Sequence, residues 1–296
     1  AVLHLLYARF WTRALRHVGM LDVAEPFAGL FTQGMVTHET YKSSDGRWLS
    51  PADIEDGKEV ATGQPVTVGR VEKMSKSKKN TIDPEPIVDQ YGADAVRWFM
   101  LSDSPPERDL EWSENGIEGA WRFIQRLWRL LGDAEVAEGE DLALRKAAHR
   151  TTKGVADAIE GLQFNKAVAL IYTLANAIEK ATPSKDRTAA IDTLLRLVAP
   201  MVPHLAEEVW AAQHGDGLIA DVAWPSVDPA LLVDDEVTVA LQVNGKLRDT
   251  IVIPKGLARE EAEARALASE KIMRAMEGKP PRKVIVVPDR LVNIVV

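Results

Sequence analysis

Between Val71 and Asn80 the sequence reads VEKMSKSKKN. Four lysines, Lys73, Lys76, Lys78 and Lys79, fall within seven positions, with Ser75 and Ser77 between them. Ammonium groups supply charge, while hydroxyls and the amides of a tight loop supply hydrogen-bond donors. Together they can converge on phosphate oxygens. The chain around them is acidic, with 36 Lys+Arg against 44 Asp+Glu and a net charge of −8. The loop is therefore either a solvated surface, a nuclear-localisation patch being one variant of that reading, or the meeting place for an anion. The acidic balance argues against coating nucleic acid non-specifically, so phosphate contacts fall to local basic clusters. Arg122, Arg126 and Arg129 recur at i, i+4 and i+7, opposite an apolar stripe. Lys246 and Arg248 share a strand face by period two, and Lys279, Arg282 and Lys283 surround a Pro-Pro turn. By residue type alone the arginine stripe reads as an ordinary solvated face. There is no cysteine, which excludes disulfides and thiolate zinc sites and fits a reducing cytoplasm. The six histidines, His4, His17, His38, His149, His204 and His214, lack ligand spacing, so no metal site is expected.

The elements that must position these residues follow from periodicity. Leu3, Leu6, Tyr7, Phe10, Trp11, Ala14, Leu15 and Val18 predict a helix stopped by Gly19. LFTQGMVTH and PVTVGRVEK read as strands, the second delivering the lysine loop, with a polar excursion over residues 42–66 between them. Asp83-Pro84 caps a short helix ended by Gly92, and ADAVRWFMLS is another. Asp94 and Arg97, one turn apart on it, read as a structural pair steadying the base of the loop. The Pro- and acid-rich stretch DSPPERDLEWSEN marks a first boundary. Beyond it lies an apolar stripe of Ile117, Ala120, Trp121, Ile124, Leu127, Trp128 and Leu131. Further helices are expected over 142–160, 164–181, 185–199 and 203–213, broken by Gly161, Pro183 and Pro200, which makes a bundle of about five. After a linker in VAWPSVDPALLVDDE the period changes. VTVALQV and KLRDTIVIP flank Asn244-Gly245, one helix follows, and KVIVV and LVNIVV close a small ββαββ domain. The predicted domains are 1–111, 112–226 and 227–296. No apolar run reaches membrane-spanning length, no signal peptide is expected, and the opening in mid-helix suggests a chain cut from something longer.

KMSKS within KMSKSKKNTIDPEPIVDQYGADAVRWFML, with HLLYARFW, EPFAGLFTQGMV, DLEWSENGIEGAWRF, AWP and LQVNGKLR, resembles the class I aminoacyl-tRNA synthetases, and within them the bacterial-type leucyl enzymes. The resemblance covers essentially the whole chain. Isoleucyl relatives usually carry a cysteine zinc site and valyl relatives a terminal coiled coil, and both tend to read KMSKS-x-GN where this chain has Lys79. The methionyl branch is a further alternative.

The resemblance implies a multidomain architecture: the second half of a Rossmann-type catalytic domain, a helical bundle like an anticodon-binding domain, and a small C-terminal tRNA-binding domain. It places the first half of the catalytic domain, the HIGH motif and the editing domain upstream, so the chain alone is expected to be inactive. It implies activation of leucine by ATP, carried with Mg²⁺, and transfer to tRNA(Leu), with no zinc, DNA or membrane partner. By family pattern Lys76 is the main ATP contact and Lys73 supports it, both with a catalytic role. Ser75 and Ser77 bind phosphates or hold the loop, Met74 packs inward as an anchor, and Gly34 and Met35 lie beside adenosine, Gly34 allowing close approach. His4, by type alone more often a core histidine, lines the amino-acid pocket by the same pattern. Arg122, Arg126, Arg129, Lys246, Arg248 and Lys283 contact tRNA. The alternatives are a tRNA-binding module without catalysis and one subunit of a split synthetase.

Overall fold

A computed structural model describes residues 2–133, 137–233 and 236–296. It divides into two compact units, Ala1–Pro225 and Ser226–Val296. Part of the linker expected at 222–236, residues 234 and 235, lies outside the described residues.

The first unit opens with α1 (Val2–His17), which ends where Gly19 takes φ +76°. Its apolar stripe does not join a core among the described residues: Leu3, Leu6, Tyr7, Phe10 and Trp11 are all exposed. Periodicity fixes a face but not what covers it. Seven short strands follow: β1 (Val36–His38), β2 (Tyr41–Lys42), β3 (Trp48–Leu49), β4 (Ile54–Glu55), β5 (Lys58–Glu59), β6 (Thr67–Val68) and β7 (Glu72–Lys73). Of the strand expected over LFTQGMVTH only the last three residues form one. The strand expected over PVTVGRVEK is split by Gly69, which packs so tightly on Thr40 that a Cβ would lie 2.5 Å from its hydroxyl oxygen. After α2 (Pro84–Tyr91), α3 (Ala93–Ser102) and β8 (Leu110–Glu111), the sheets are β7-β1-β8, β3-β2-β6 and the hairpin β4-β5. Of the Rossmann-type sheet expected in this unit, the described residues show one short parallel pairing, Val36 opposite Leu110, with β7 antiparallel on the other side of β1. Strands of two or three residues cannot build a wound sheet.

Five helices follow: α4 (Glu114–Leu131), α5 (Leu142–Glu160), α6 (Phe164–Lys180), α7 (Lys185–Val198) and α8 (Pro203–His214). Ser113, Asp141 and Ser184 cap three of them by accepting a backbone N–H. On α4 the buried face is Ile117, Ala120, Phe123, Ile124, Leu127, Leu130 and Leu131. Trp121 and Trp128, expected in the stripe, are exposed, since the larger ring does not decide which flank faces inward. Trp98 of α3 is fully buried; it donates to Tyr172 Oη at 3.2 Å and lies 4.9 Å from the Phe123 ring. Residues on either side of the 103–115 bridge thus share one apolar core.

In the second unit β9 (Glu236–Val243) and β10 (Lys246–Pro254) form a hairpin at Asn244-Gly245, both at positive φ. Then come α9 (Arg259–Leu267), α10 (Glu270–Ala275), β11 (Lys283–Val287) and β12 (Leu291–Val295), in sheet order β10-β9-β12-β11. The single helix expected here is two, because Ser269 accepts the Ile272 N–H and starts a second one. Val239, Leu241, Val243, Ile253, Ala266, Ile272, Val292 and Ile294 make the core.

Candidate functional site

The lysine loop leaves β7, where Lys73 lies opposite Thr37, and the Met74 N–H extends the ladder by one bond to Val36 O. The chain then turns on itself: Lys78 N–H donates to Ser75 O and Lys79 N–H to Lys76 O. Lys79 sits at φ +54°, the left-handed region that favours glycine.

The centre of the turn is the side chain of Asn80, which is fully buried. Its Oδ1 accepts the Ser75 N–H at 2.9 Å, and its Nδ2 donates to His38 O and Glu72 O at 3.2 Å each. Sequence reasoning missed Asn80. The available signal was an amide-bearing residue closing a loop of charges, a type that satisfies backbone groups when buried.

Around this pin the cations differ in what they meet. Lys78 is paired with Glu72. Lys73 and Lys76 are exposed, and among the described residues no ion pair joins either to a carboxylate. The Ser75 and Ser77 hydroxyls lie 3.3 Å apart, and Met74 is half-buried. Two ammonium groups and two hydroxyls thus project from a fixed turn.

Gly34 and Met35 are held against the 106–110 segment. Gly34 N–H donates to Pro106 O and Met35 N–H to Asp109 Oδ1, each at 2.8 Å. A Cβ on Gly34 would lie 1.9 Å from Arg108 O. The close approach expected of this glycine is therefore used by the chain's own backbone. Gln33, Gly34 and Met35 line a cavity of about 290 Å³ together with Arg108, Leu110 and Phe164. His4 is exposed on α1, its ring 6.1 Å from that of Phe27. Next to it, a cavity of about 340 Å³ is lined by Leu5, Leu6, Arg9, Glu25, Phe27 and Leu30. Hydrogen bonds from Arg9 and Arg13 hold the Glu25 carboxyl below its ordinary range.

Asp94 and Arg97 do not pair with each other, nor do they steady the lysine loop. Both reach the turn between α7 and α8, more than a hundred residues away. Asp94 Oδ2 accepts Leu205 N–H at 2.7 Å, and Oδ1 lies 2.9 Å from His204 Nδ1. Arg97 donates to Pro200 O at 2.8 Å and to Met201 O at 3.0 Å. The physical reason is charge on helix ends: the anion meets the free N–H groups opening α8, and the cation the carbonyls beyond α7.

The three arginines of α4 have different partners. Arg122 is exposed and pairs with Glu118 along the helix. Arg126 makes a two-pronged contact with Glu179 at 2.6 and 2.8 Å and also donates to Asn176, which ties α4 to α6. Arg129 is exposed. In the second unit Lys246 and Lys283 are exposed on the two outer strands, β10 and β11. The shared face expected for Lys246 and Arg248 is broken, because the register slips between Leu247 and Asp249 and leaves Arg248 as the extra residue of a bulge. Among the described residues no group of three His, Asp or Glu could hold a metal, and no helix is long and apolar enough to cross a membrane.

Comparison with known proteins gives the same direction from independent evidence. The model of class I tRNA synthetases for isoleucine, leucine, methionine and valine matches residues 58–113, and the anticodon-binding domain of tRNA ligases matches 141–264. The leucine–tRNA ligase of Rhizorhabdus wittichii is 68% identical over 295 residues, all of this chain and 35% of the relative. That of Zymomonas mobilis is 61% identical over 301, again all of this chain and 36% of the relative. The solved ternary complex of an Agrobacterium radiobacter K84 LeuRS with tRNA and LeuAMS superposes with a TM-score of 0.65 at 28% identity, covering 99% of this chain and 36% of that one. The chain thus spans about a third of the length of the curated relatives it matches. By identity over its whole length, it belongs to the leucine–tRNA ligase family of class I aminoacyl-tRNA synthetases and corresponds to their C-terminal part.

Proposed function

We propose that this chain contributes the ATP-phosphate loop and the tRNA-contacting surfaces of a leucine–tRNA ligase. In the reaction a leucine carboxylate oxygen bonds to the α-phosphorus of ATP as the bridging P–O bond breaks and pyrophosphate leaves. A terminal ribose hydroxyl of tRNA(Leu) then takes the leucyl group and AMP departs. The first step needs no general base, because the carboxylate is already ionised. It needs positioning and neutralisation of the leaving pyrophosphate. Mg²⁺ arrives with ATP as its counter-ion.

The observation that carries this reading is that Lys73 and Lys76 stand exposed on a pinned turn, with no carboxylate partner among the described residues, while Lys78 beside them is paired with Glu72. Lys76 meets the β- and γ-phosphates, Lys73 supports it, and the Ser75 and Ser77 hydroxyls donate to phosphate oxygens. Gln33, Gly34 and Met35 border the adenosine side, and His4 the leucine side. Arg122, Arg129, Lys246, Arg248 and Lys283 give exposed cations for RNA phosphates, and Arg126 braces the helix that carries the first two.

The test uses a ligase in which this chain replaces the matching part of the Rhizorhabdus wittichii enzyme. Lys76→Ala should slow leucine-dependent ATP–pyrophosphate exchange by roughly 10²–10³, the scale of a lost oxyanion donor. The loss should fall on kcat more than on the leucine KM. Lys79→Ala should cost far less. Equal and small effects, with tRNA binding intact, would leave the chain as an RNA-binding module with a solvated basic loop.

A further inference from the structure

The hydrogen bonds of Asn80 span the loop in a way that no other side chain does among the described residues. One amide meets four backbone groups: Ser75 N–H inside the turn, Glu72 O and, at 3.5 Å, Lys73 O on the strand that enters it, and His38 O on the neighbouring strand β1. Glu72 and His38 are themselves opposite each other in the sheet. Both Nδ2 protons are used and Oδ1 is used, at a position with no exposed surface. A buried amide so placed fixes the height of Ser75 above the sheet, and Ser75 directly precedes Lys76 and stands two residues after Lys73. The rest of the turn has two local backbone bonds, from Lys78 and Lys79, to hold its shape.

We infer that Asn80 is a positioning residue, the pin that sets where Lys73 and Lys76 meet the phosphates. The inference rests on the reading of this loop as the ATP-phosphate site. Asn80 touches no substrate and acts through the Ser75 amide. A volume-filling role and a pinning role differ in one respect. Asp at position 80 keeps the size but turns the donating nitrogen into an oxygen that faces His38 O and Glu72 O.

In the unmodified chain, hydrogen exchange should show the Ser75 amide protected relative to the neighbouring Ser77 amide. Equal, fast exchange of both overturns the pin without any variant. In the ligase chimera, Asn80→Asp and Asn80→Ala should each lower kcat for pyrophosphate exchange by about 10²-fold, the cost of misplacing a group by about an ångström. The leucine KM should stay within roughly twofold, since leucine does not touch the loop. Activity of Asn80→Asp near the parent level would mean that only volume matters, and would overturn the inference. Lys76→Ala read in the same assay separates the two ideas. If Lys76→Ala is silent, the phosphate reading fails. If Lys76→Ala is slow and Asn80→Asp is not, the pin alone fails. If the Asn80 variants do not fold, the exchange rates of the parent chain decide.

Discussion

Removing the Asp94 carboxylate should unfold the first unit several degrees earlier, although Asp94 lies in no proposed site. The residue is buried, and α8 begins without a cap of its own: Val202 stands at its N-cap and offers no side-chain acceptor. Asp94 supplies the cap from α3, taking Leu205 N–H at 2.7 Å. Losing a cap costs about 0.5–2 kcal/mol, and a buried N–H left without a partner costs roughly 1–3 kcal/mol. These overlap, so about 2–3 kcal/mol is expected for Asp94→Ala. In a unit of this size, each kcal/mol moves Tm by roughly 2–4 °C, which gives a fall of about 5–10 °C. Asp94→Asn keeps an acceptor and loses only the charge at a helix N-terminus, about 0.3–1 kcal/mol. The His204 side chain is 74% exposed, so its contact with Asp94 is worth about 0–1 kcal/mol, and His204→Ala should be near neutral. The measurement is thermal unfolding of the three variants side by side. If Asp94→Ala changes Tm by less than about 2 °C, or His204→Ala matches it, the cap is not what joins α3 to α8.

Two further outcomes follow. Arg129→Ala should weaken tRNA binding and reduce the log–log salt slope by roughly 0.7–0.9, whereas Arg126→Ala, which severs Glu179, should lower the melting temperature more than it changes the slope; the reverse pattern in a salt titration would sink the assignment. At Asp186, hydrogen bonds from Arg145 hold the carboxyl below its ordinary value, so its contribution is present above the unfolded value of about 3.9 and is lost as pH falls towards the native one; Asp186→Asn should flatten the decline in denaturant midpoint below about pH 4, and parallel curves for the two proteins would contradict it.

Much of this architecture was legible because it is local. Gly161, Pro183 and Pro200 punctuate the bundle where the helices end, and Asn244-Gly245 marks its hairpin through the positive φ that only such a pair accepts readily. The lysine loop was legible for the same reason, since its residue types and order lie within ten positions. What stayed hidden was settled by partners far along the chain. Asp94 and Arg97 are adjacent on a helix, yet their charges are spent on residues 200–205. Arg126 looks like its neighbours at 122 and 129 until Glu179 is brought beside it by the packing of α4 on α6. Arg248 breaks period two because a single extra residue enters the strand, and no pattern of side chains announces a bulge. The stripe on α1 shows the opposite failure: its periodicity is strong, and no core among the described residues receives it.

The four-stranded sheet of the second unit has two outer strands, β10 and β11, each paired on one side within the sheet. On β10 the bulge at Arg248 bends the ladder and Pro254 ends it with a residue that cannot donate; on β11 the first position is Lys283, just after Pro280 and Pro281. Charge, bulge and proline at an edge all discourage strand addition. The basic residues proposed to meet RNA here thus also sit where strand addition is discouraged. A variant that neutralised them to abolish binding would also lay open a sheet margin, and its loss of function would have to be separated from self-association before it could be counted against an RNA contact.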